Sequence, residues 1–102
     1  MVKVYMSRVG DWYTVEATGH ATGNSNVCSA VSTLIQTLET WINNTGLTHS
    51  GTVSAGDSCL KFTGQGSGTV FDTVYCGFRR LAASYPEYIE LTAEESAGTR
   101  SR

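Results

Sequence analysis

The sequence has few cysteines, little net charge and no long apolar run. Its three cysteines are an odd number at wide spacing, which argues against a disulfide framework and fits a reducing compartment. The formal net charge of −2 gives no reason to expect a direct nucleic-acid partner. No stretch approaches the ~18 apolar residues of a membrane helix, and residues 1–20 lack the apolar run of a signal peptide. We therefore expect a cytoplasmic protein that contacts neither a membrane nor nucleic acid.

The length and composition are those of one small globular domain. The chain has 102 residues, of which 40% are hydrophobic and 16% charged, without the charge excess that marks disorder. The apolar patterns stop before the polar end of the chain. We expect a single domain over residues 1–93 and a flexible tail over 94–102.

Two alternating segments open the chain. Val2, Val4 and Met6 alternate with polar or exposed types, which is the period of a half-buried strand. After the turn signal Gly10-Asp11, residues 12–19 are rich in aromatic and β-branched types. The pair predicts an antiparallel hairpin.

A helical period begins at Val27 and is the strongest structural signal in the sequence. Ser25 or Asn26 is the expected N-cap, and the helix should end near Asn43–Gly46. Eight apolar residues fall on one face of this helix: Val27, Ala30, Val31, Leu34, Ile35, Leu38, Trp41 and Ile42.

The second half repeats the arrangement of two strands and a helix. Residues 47–55 and 58–63 predict a hairpin around Ala55-Gly56-Asp57, with core residues Val53, Leu60 and Phe62. A helix over 69–84 and a short strand over 87–92 follow. The order β-β-α-β-β-α-β predicts an α+β fold, a mixed or antiparallel sheet with both helices packed on one face.

Cys28 and His20 form the candidate catalytic pair. Cys28 is expected one or two residues inside the long helix, where free N–H groups and the positive end of the helix dipole favour a thiolate. His20 ends the preceding strand, and Gly23 lets the intervening loop curl back. A Cys–His pair within hydrogen-bond reach is the minimal activated nucleophile for acyl transfer, and the helix N–H groups are candidate oxyanion donors.

Two structural alternatives stand beside this hypothesis. A single cysteine in a helix is more often a packing residue than a nucleophile. A metal site built from the cysteines and histidines is disfavoured because no Cys-x2-Cys or His-x3-His pair is present, and we expect no bound metal. Cys59 and Cys76 are expected to be inert thiols, and His49 a sheet residue.

Two motifs resemble the ribosomal-processing cysteine protease family, Prp. Gly19-His20-Ala21 precedes a loop and then Val27-Cys28-Ser29-Ala30-Val31-Ser32, similar to the family's Gly-His-Ala and Cys-Ala-Ala-Val-Ser motifs. Tyr85-Pro86-Glu87-Tyr88-Ile89 is similar to the family's Tyr-Pro-Glu ending. The order of elements also agrees, so the resemblance covers nearly the whole domain.

The resemblance implies peptide-bond hydrolysis by His20 and Cys28, in a homodimer without cofactor. The implied substrate is a protein with an extended N-terminal segment: a ribosomal large-subunit protein, or a capsid or scaffold protein for phage relatives. The loop between the two residues is about four residues shorter than is usual in the family, and Ser25 stands where the family often has Asp. A catalytically impaired homologue, acting as a protein-binding or ribosome-associated regulatory module, is the alternative.

Four further residues are candidate supporting positions. Gly19 permits close backbone approach beside the histidine, and Ala21 completes the Gly-His-Ala motif. Gly23 gives the loop between His20 and Cys28 the backbone flexibility to curl back. Ser32 lies one helical turn after Cys28, where it either hydrogen-bonds near the site or bonds back to a helix carbonyl.

Overall fold

A five-stranded sheet with two helices on one side makes up the part of the chain that the computed structural model describes, residues 1–96. The elements are β1 (Val2–Val9), β2 (Trp12–Thr18), α1 (Ser25–Thr45), β3 (Thr48–Thr52), β4 (Asp57–Thr63), α2 (Ser67–Ser84) and β5 (Ile89–Ser96). This order and the mixed sheet confirm the predicted α+β class.

The strands lie in the order β3-β4-β2-β1-β5. Antiparallel pairs join β1 to β2, β2 to β4 and β3 to β4. β5 runs parallel to β1 at the opposite edge. This order puts the two hairpins side by side and leaves β3 and β5 as the sheet edges.

Alternation along the strands decides which face the helices cover. Val2, Val4 and Met6 of β1 are buried, and residues of β2 and β4 in the same register continue this face. α1 and α2 pack on it with stripes spaced three or four residues apart. Neither helix within residues 1–96 is long and apolar enough to cross a membrane. The buried helical residues are Val27, Val31, Ile35, Leu38 and Ile42 of α1, and Ser67, Phe71, Val74 and Phe78 of α2.

The start of α1 differs from the prediction. Asn24 is the N-cap, and its side-chain oxygen accepts a hydrogen bond from the Val27 N–H at 3.2 Å. The prediction of Ser25 or Asn26 was wrong because the helical turn begins before the apolar stripe does. The C-terminal end lies within the predicted range, with Gly46 at φ +68° donating its N–H to Ile42 O.

Two strand boundaries also differ. β3 ends at Thr52, so Val53 lies in the connection to β4 and is half-buried rather than part of the sheet core. β5 continues to Ser96, so Glu94–Ser96, placed by the sequence in the tail, belong to a strand. The rest of the expected tail, 97–102, lies outside the described residues.

A buried arginine extends the helix-covered face of β1. Arg8 is 4% exposed, and its guanidinium lies over the rings of Tyr13 and Phe71, at 5.1 and 5.3 Å from their centroids. Its Nη2 donates to Asp72 Oδ1 at 2.8 Å. Aromatic faces and a carboxylate together stabilise a charge that would otherwise be costly to bury.

Candidate active site

A cleft of about 270 Å³ opens at one end of the helix-covered face. One wall is the first half of α1, and the other is the connection between β3 and β4, residues 53–58. Val2, Ala17, Val31 and Ile35 form an apolar floor, and all four are buried. Such a site suits an aliphatic side chain surrounded by polar groups.

His20 and Cys28 both line this cleft. His20 follows the end of β2 and is exposed, while Cys28 lies on α1 and is half-buried. The structure therefore brings both predicted residues to one concave surface, although they belong to different elements.

A tight turn explains how the chain returns from β2 to α1. The Asn24 N–H donates to Ala21 O at 2.9 Å, and Gly23 has φ +87°, a conformation that glycine adopts without strain. The turn places Ala21 against the sulfur: its N–H donates to Cys28 Sγ at 3.3 Å. The turn therefore holds the Cys28 sulfur against the backbone that follows His20.

Cys28 lies deeper in α1 than the sequence predicted. The helix begins at Ser25, so Cys28 is its fourth residue, and its own N–H donates to Asn24 O at 3.5 Å. Within residues 1–96 the N–H groups of Ser25 and Asn26 have no acceptor, as expected for the first helical positions. These two, not the Cys28 N–H, are the free donors at the positive end of α1.

His20 is placed by contacts with two glycines. A Cβ on Gly56 would lie 2.5 Å from His20 Nε2 and 2.6 Å from Cε1, so the imidazole lies directly against the Gly56 backbone. Gly19, at φ +92°, donates its N–H to Gly56 O at 3.0 Å, and a Cβ there would collide with the Met1 carbonyl oxygen. Both positions require glycine for the histidine to keep its place.

Serine hydrogen bonds fix the turn that carries Gly56. Ser58 Oγ accepts from the Ser54 N–H at 3.3 Å and donates to Ser54 O at 3.0 Å. Ser54 Oγ donates to Asp57 O at 2.7 Å. The wall beside His20 is therefore held by side chains as well as by the β3–β4 ladder.

The side chains of His20 and Cys28 share no hydrogen bond within residues 1–96, since the sulfur contacts the Ala21 backbone instead. Catalytic hydrogen bonds are often long or unformed without substrate and tighten in the complex. Ser32 also lines the cleft. Its hydroxyl has no hydrogen-bond partner among the described residues, unlike Thr33, which bonds back to Ser29 O.

The other predicted thiols and the second histidine lie away from the cleft. Cys59 on β4 donates to Glu16 Oε2 at 3.5 Å, and burial together with this carboxylate raises the pKa of its thiol. Cys76 is exposed on α2, and His49 on β3 contacts Leu47 O through Nδ1. Among residues 1–96, no three His, Cys, Asp or Glu side chains cluster as metal ligands.

The Prp cysteine protease family model matches residues 1–90. The chain belongs to this family. The match covers every element up to the start of β5 and includes His20, Cys28 and both walls of the cleft. A comparison with curated proteins gives no match.

Solved structures show the same fold as this Prp family member. A protein from Streptococcus mutans is 24% identical, with a TM-score of 0.77 over 94% of this chain and 99% of that one. The Staphylococcus aureus ribosomal processing protease Prp with a covalently linked product peptide is 18% identical, with a TM-score of 0.78 over 91% and 99%. The same protease with a substrate peptide is 16% identical, with a TM-score of 0.71 over 91% and 99%.

Sequence reasoning missed the wall formed by Ser54, Gly56 and Ser58. The motif predicted a turn, but nothing in one dimension indicates that a turn 36 residues after His20 lies against its ring. Small and polar residues crowded around a single glycine were the available signal, and they fit many surface turns equally well.

Proposed function

We propose that this Prp family member is a cysteine endopeptidase in which Cys28 is the nucleophile and His20 the general base. One observation carries the proposal: Cys28 Sγ accepts the Ala21 N–H at the rim of a cleft that His20 also lines. Membership of a cysteine protease family supports the reaction class.

The reaction uses groups that the cleft already contains. His20 takes the proton of Cys28, and the thiolate attacks the scissile carbonyl carbon. Collapse of the tetrahedral intermediate breaks the C–N bond, and the imidazolium gives its proton to the leaving amine. His20 then removes a proton from water, whose oxygen attacks the thioester, and the carboxylate product leaves with the thiol restored.

The supporting residues place the reacting groups and the substrate in the cleft. The N–H groups of Ser25 and Asn26 are candidate donors to the oxyanion, and Gly19 and Gly23 give the backbone its course around His20. The hydroxyl of Ser32, without a partner in the described chain, is placed to bind the substrate or a catalytic water in the cleft. Ala21 holds the sulfur.

The proposed substrate is a short N-terminal extension of a large-subunit ribosomal protein, or a phage capsid or scaffold protein. The apolar floor of Val2, Val31 and Ile35 suits an aliphatic side chain in an extended peptide. The Staphylococcus aureus relative described as a ribosomal processing protease supports the first choice. We further propose that the protein works in the cytoplasm as a homodimer and without a cofactor.

Cleavage of the N-terminally extended ribosomal protein from the same source tests this proposal. Incubation with the wild-type protein should yield two fragments with defined masses, and Cys28→Ala should yield none. Cys76→Ala is the matched control, since it removes an exposed thiol outside the cleft. Binding of the substrate without any cleavage would favour the regulatory module instead.

A further inference from the structure

The cleft extends beyond the catalytic pair along the first half of α1. Cys28, Ser32 and Gln36 line it at intervals of four residues, so their side chains form one row on one side of the helix. We call these three side chains the α1 row. Ser32 and Gln36 are exposed, while Val31 and Ile35 beside them are buried in the floor of the cleft. The α1 row is therefore the polar edge of an apolar cleft.

The spacing of the α1 row fits a peptide bound in extended form. Four residues of an α-helix rise about 6 Å, and two residues of an extended chain span about 6.6 Å. Alternate substrate residues therefore meet successive members of the row. From Cys28 to Gln36 the helix rises about 12 Å, which an extended chain covers in between three and four residues. With the cleaved carbonyl at Cys28, the fourth residue from the cleaved bond lies beside Gln36.

The proposed reaction decides which half of the substrate lies along the α1 row. His20 gives its proton to the leaving amine, so the amine half is expected beside His20, whose exposed position lets the amine depart into solvent. The acyl half stays joined to Cys28 until water attacks. The buried residues Val31 and Ile35, which follow Cys28 along α1, suit the half that must be retained. Gln36 is then next to the fourth residue before the cleaved bond.

Gln36 presents a neutral amide to that position. Within residues 1–96 its side chain has no hydrogen-bond partner, so both its donor and its acceptor are available to a ligand. The residues that α1 contributes to this end of the cleft, from Val31 to Gln36, include no charged side chain. Asp57 also lines the cleft, but Ser58 beside it is buried under the helices. Strand alternation therefore directs the Asp57 carboxylate to the opposite face of the sheet.

We infer that Gln36 is a specificity-determining residue, which selects a neutral amide side chain at the fourth residue before the cleaved bond. The inference rests on the proposed peptidase function and adds a substrate requirement to it. Two amides pair through a donor and an acceptor on each side. A lysine or glutamate at the same position would give up part of its hydration without meeting an opposite charge, so the subsite favours Asn or Gln over both.

Tetrapeptide aldehydes test the inference with the register of the peptide fixed. The Cys28 sulfur adds to the aldehyde carbon, and the thiol proton passes to the aldehyde oxygen, so the aldehyde residue occupies the place of the residue before the cleaved bond. The three residues next to the aldehyde carbon are leucine, and the fourth is Gln, Lys or Glu. Protection of Cys28 from iodoacetamide, followed by mass spectrometry, gives each dissociation constant. The wild type should bind the Gln peptide about threefold more tightly than the other two.

Charged variants of Gln36 should switch the preference. Gln36→Glu should favour the Lys peptide and Gln36→Lys the Glu peptide, so that the ratio of the two affinities differs by about tenfold or more between the variants. Gln65→Glu and Gln65→Lys are the matched controls, since Gln65 is an exposed glutamine on the connection from β4 to α2, outside the cleft. Their ratios should equal that of the wild type. Peptides with the charge at the second residue before the bond should not respond to Gln36.

Four results would overturn the inference: no protection of Cys28 by any peptide, no preference of the wild type for the Gln peptide, equal ratios in the two Gln36 variants, or a larger shift when the charge is at the second residue. Circular dichroism of each variant checks that the fold is retained. Cleavage of the ribosomal protein is measured separately. Selective binding without cleavage would contradict the peptidase proposal and leave the Gln36 subsite in place, whereas cleavage without selectivity would contradict the subsite alone.

Discussion

The imidazole of His20 lies against the backbone of Gly56, so close that a Cβ at Gly56 would stand 2.5 Å from Nε2. This contact joins the end of β2 to the β3–β4 turn across the mouth of the cleft. The absence of a side chain at Gly56 therefore determines where the imidazole of His20 can lie.

Replacing Gly56 by alanine should displace His20 and lower kcat for peptide cleavage by about 100-fold, because errors of about 1 Å in a catalytic group are that costly. The variant also strains a residue at φ +75°. Gly10→Ala is the matched control, since Gly10 has φ +61° and nothing within 4 Å of an added Cβ.

Both glycine variants should lose a similar free energy of unfolding, about 1–2 kcal/mol, while Gly56→Ala alone loses activity. Denaturant unfolding and steady-state kinetics measure the two effects. Equal activity of the two variants would show that the His20–Gly56 contact does not position the base.

The cap of α1 gives a stability prediction. Asn24→Ala should lower the free energy of unfolding by about 1 kcal/mol, because the Val27 N–H loses its acceptor. Asn24→Asp should retain the cap and add a favourable charge at the positive end of the helix. Urea denaturation measures both.

Ser25→Ala is the control for that prediction, since Ser25 is the first helical residue and does not cap the helix. Its stability should stay within about 0.5 kcal/mol of the wild type. A larger loss for Ser25→Ala than for Asn24→Ala would place the cap at Ser25 after all.

Much of the fold can be predicted from the spacing of apolar residues along the chain alone. The spacing of Val27, Val31, Ile35 and Leu38 predicts α1, and alternation in β1 predicts its buried face, because each pattern has one geometry that buries it. The alternation also puts Arg8 inside. What allows that burial, the stack between two aromatic rings and the pair with Asp72, comes from other elements and has no local signal.

The candidate site was predictable in part for the same reason. His20 and Cys28 are separated by seven intervening residues in the Gly-His-Ala and Val-Cys-Ser motifs, so a short turn suffices to bring them to one cleft. Gly56 lies next to His20 only because β2 pairs with β4. No local sequence pattern specifies that pairing. The cap at Asn24 was missed because the helix begins at Ser25, two residues before Val27, its first buried residue.

Cys59 supplies a prediction about thiol reactivity. Burial, and then the hydrogen bond and charge of Glu16, raise the pKa of the Cys59 thiol. A raised thiol pKa means less thiolate at neutral pH, so iodoacetamide should modify Cys59 more slowly than exposed Cys76, with a pH midpoint shifted upward.

Glu16→Gln should lower the Cys59 midpoint and speed its modification without reaching the rate of Cys76, because burial, the largest cause, remains. Peptide mapping by mass spectrometry after timed alkylation gives the rate at each cysteine. An unchanged Cys59 rate in Glu16→Gln would mean that the carboxylate does not act on the sulfur.

The dependence of Cys28 on His20 is tested most directly by the pH profile of its alkylation. We expect Cys28 to react fastest of the three cysteines near neutral pH, and His20→Ala to slow its alkylation by about tenfold or more, because the imidazole no longer takes the proton of the thiol. His49→Ala, which removes the other histidine from β3 outside the cleft, should leave the profile unchanged. If His20→Ala leaves the Cys28 profile as it is, or if Cys28 reacts no faster than Cys76, the two residues do not form a catalytic pair.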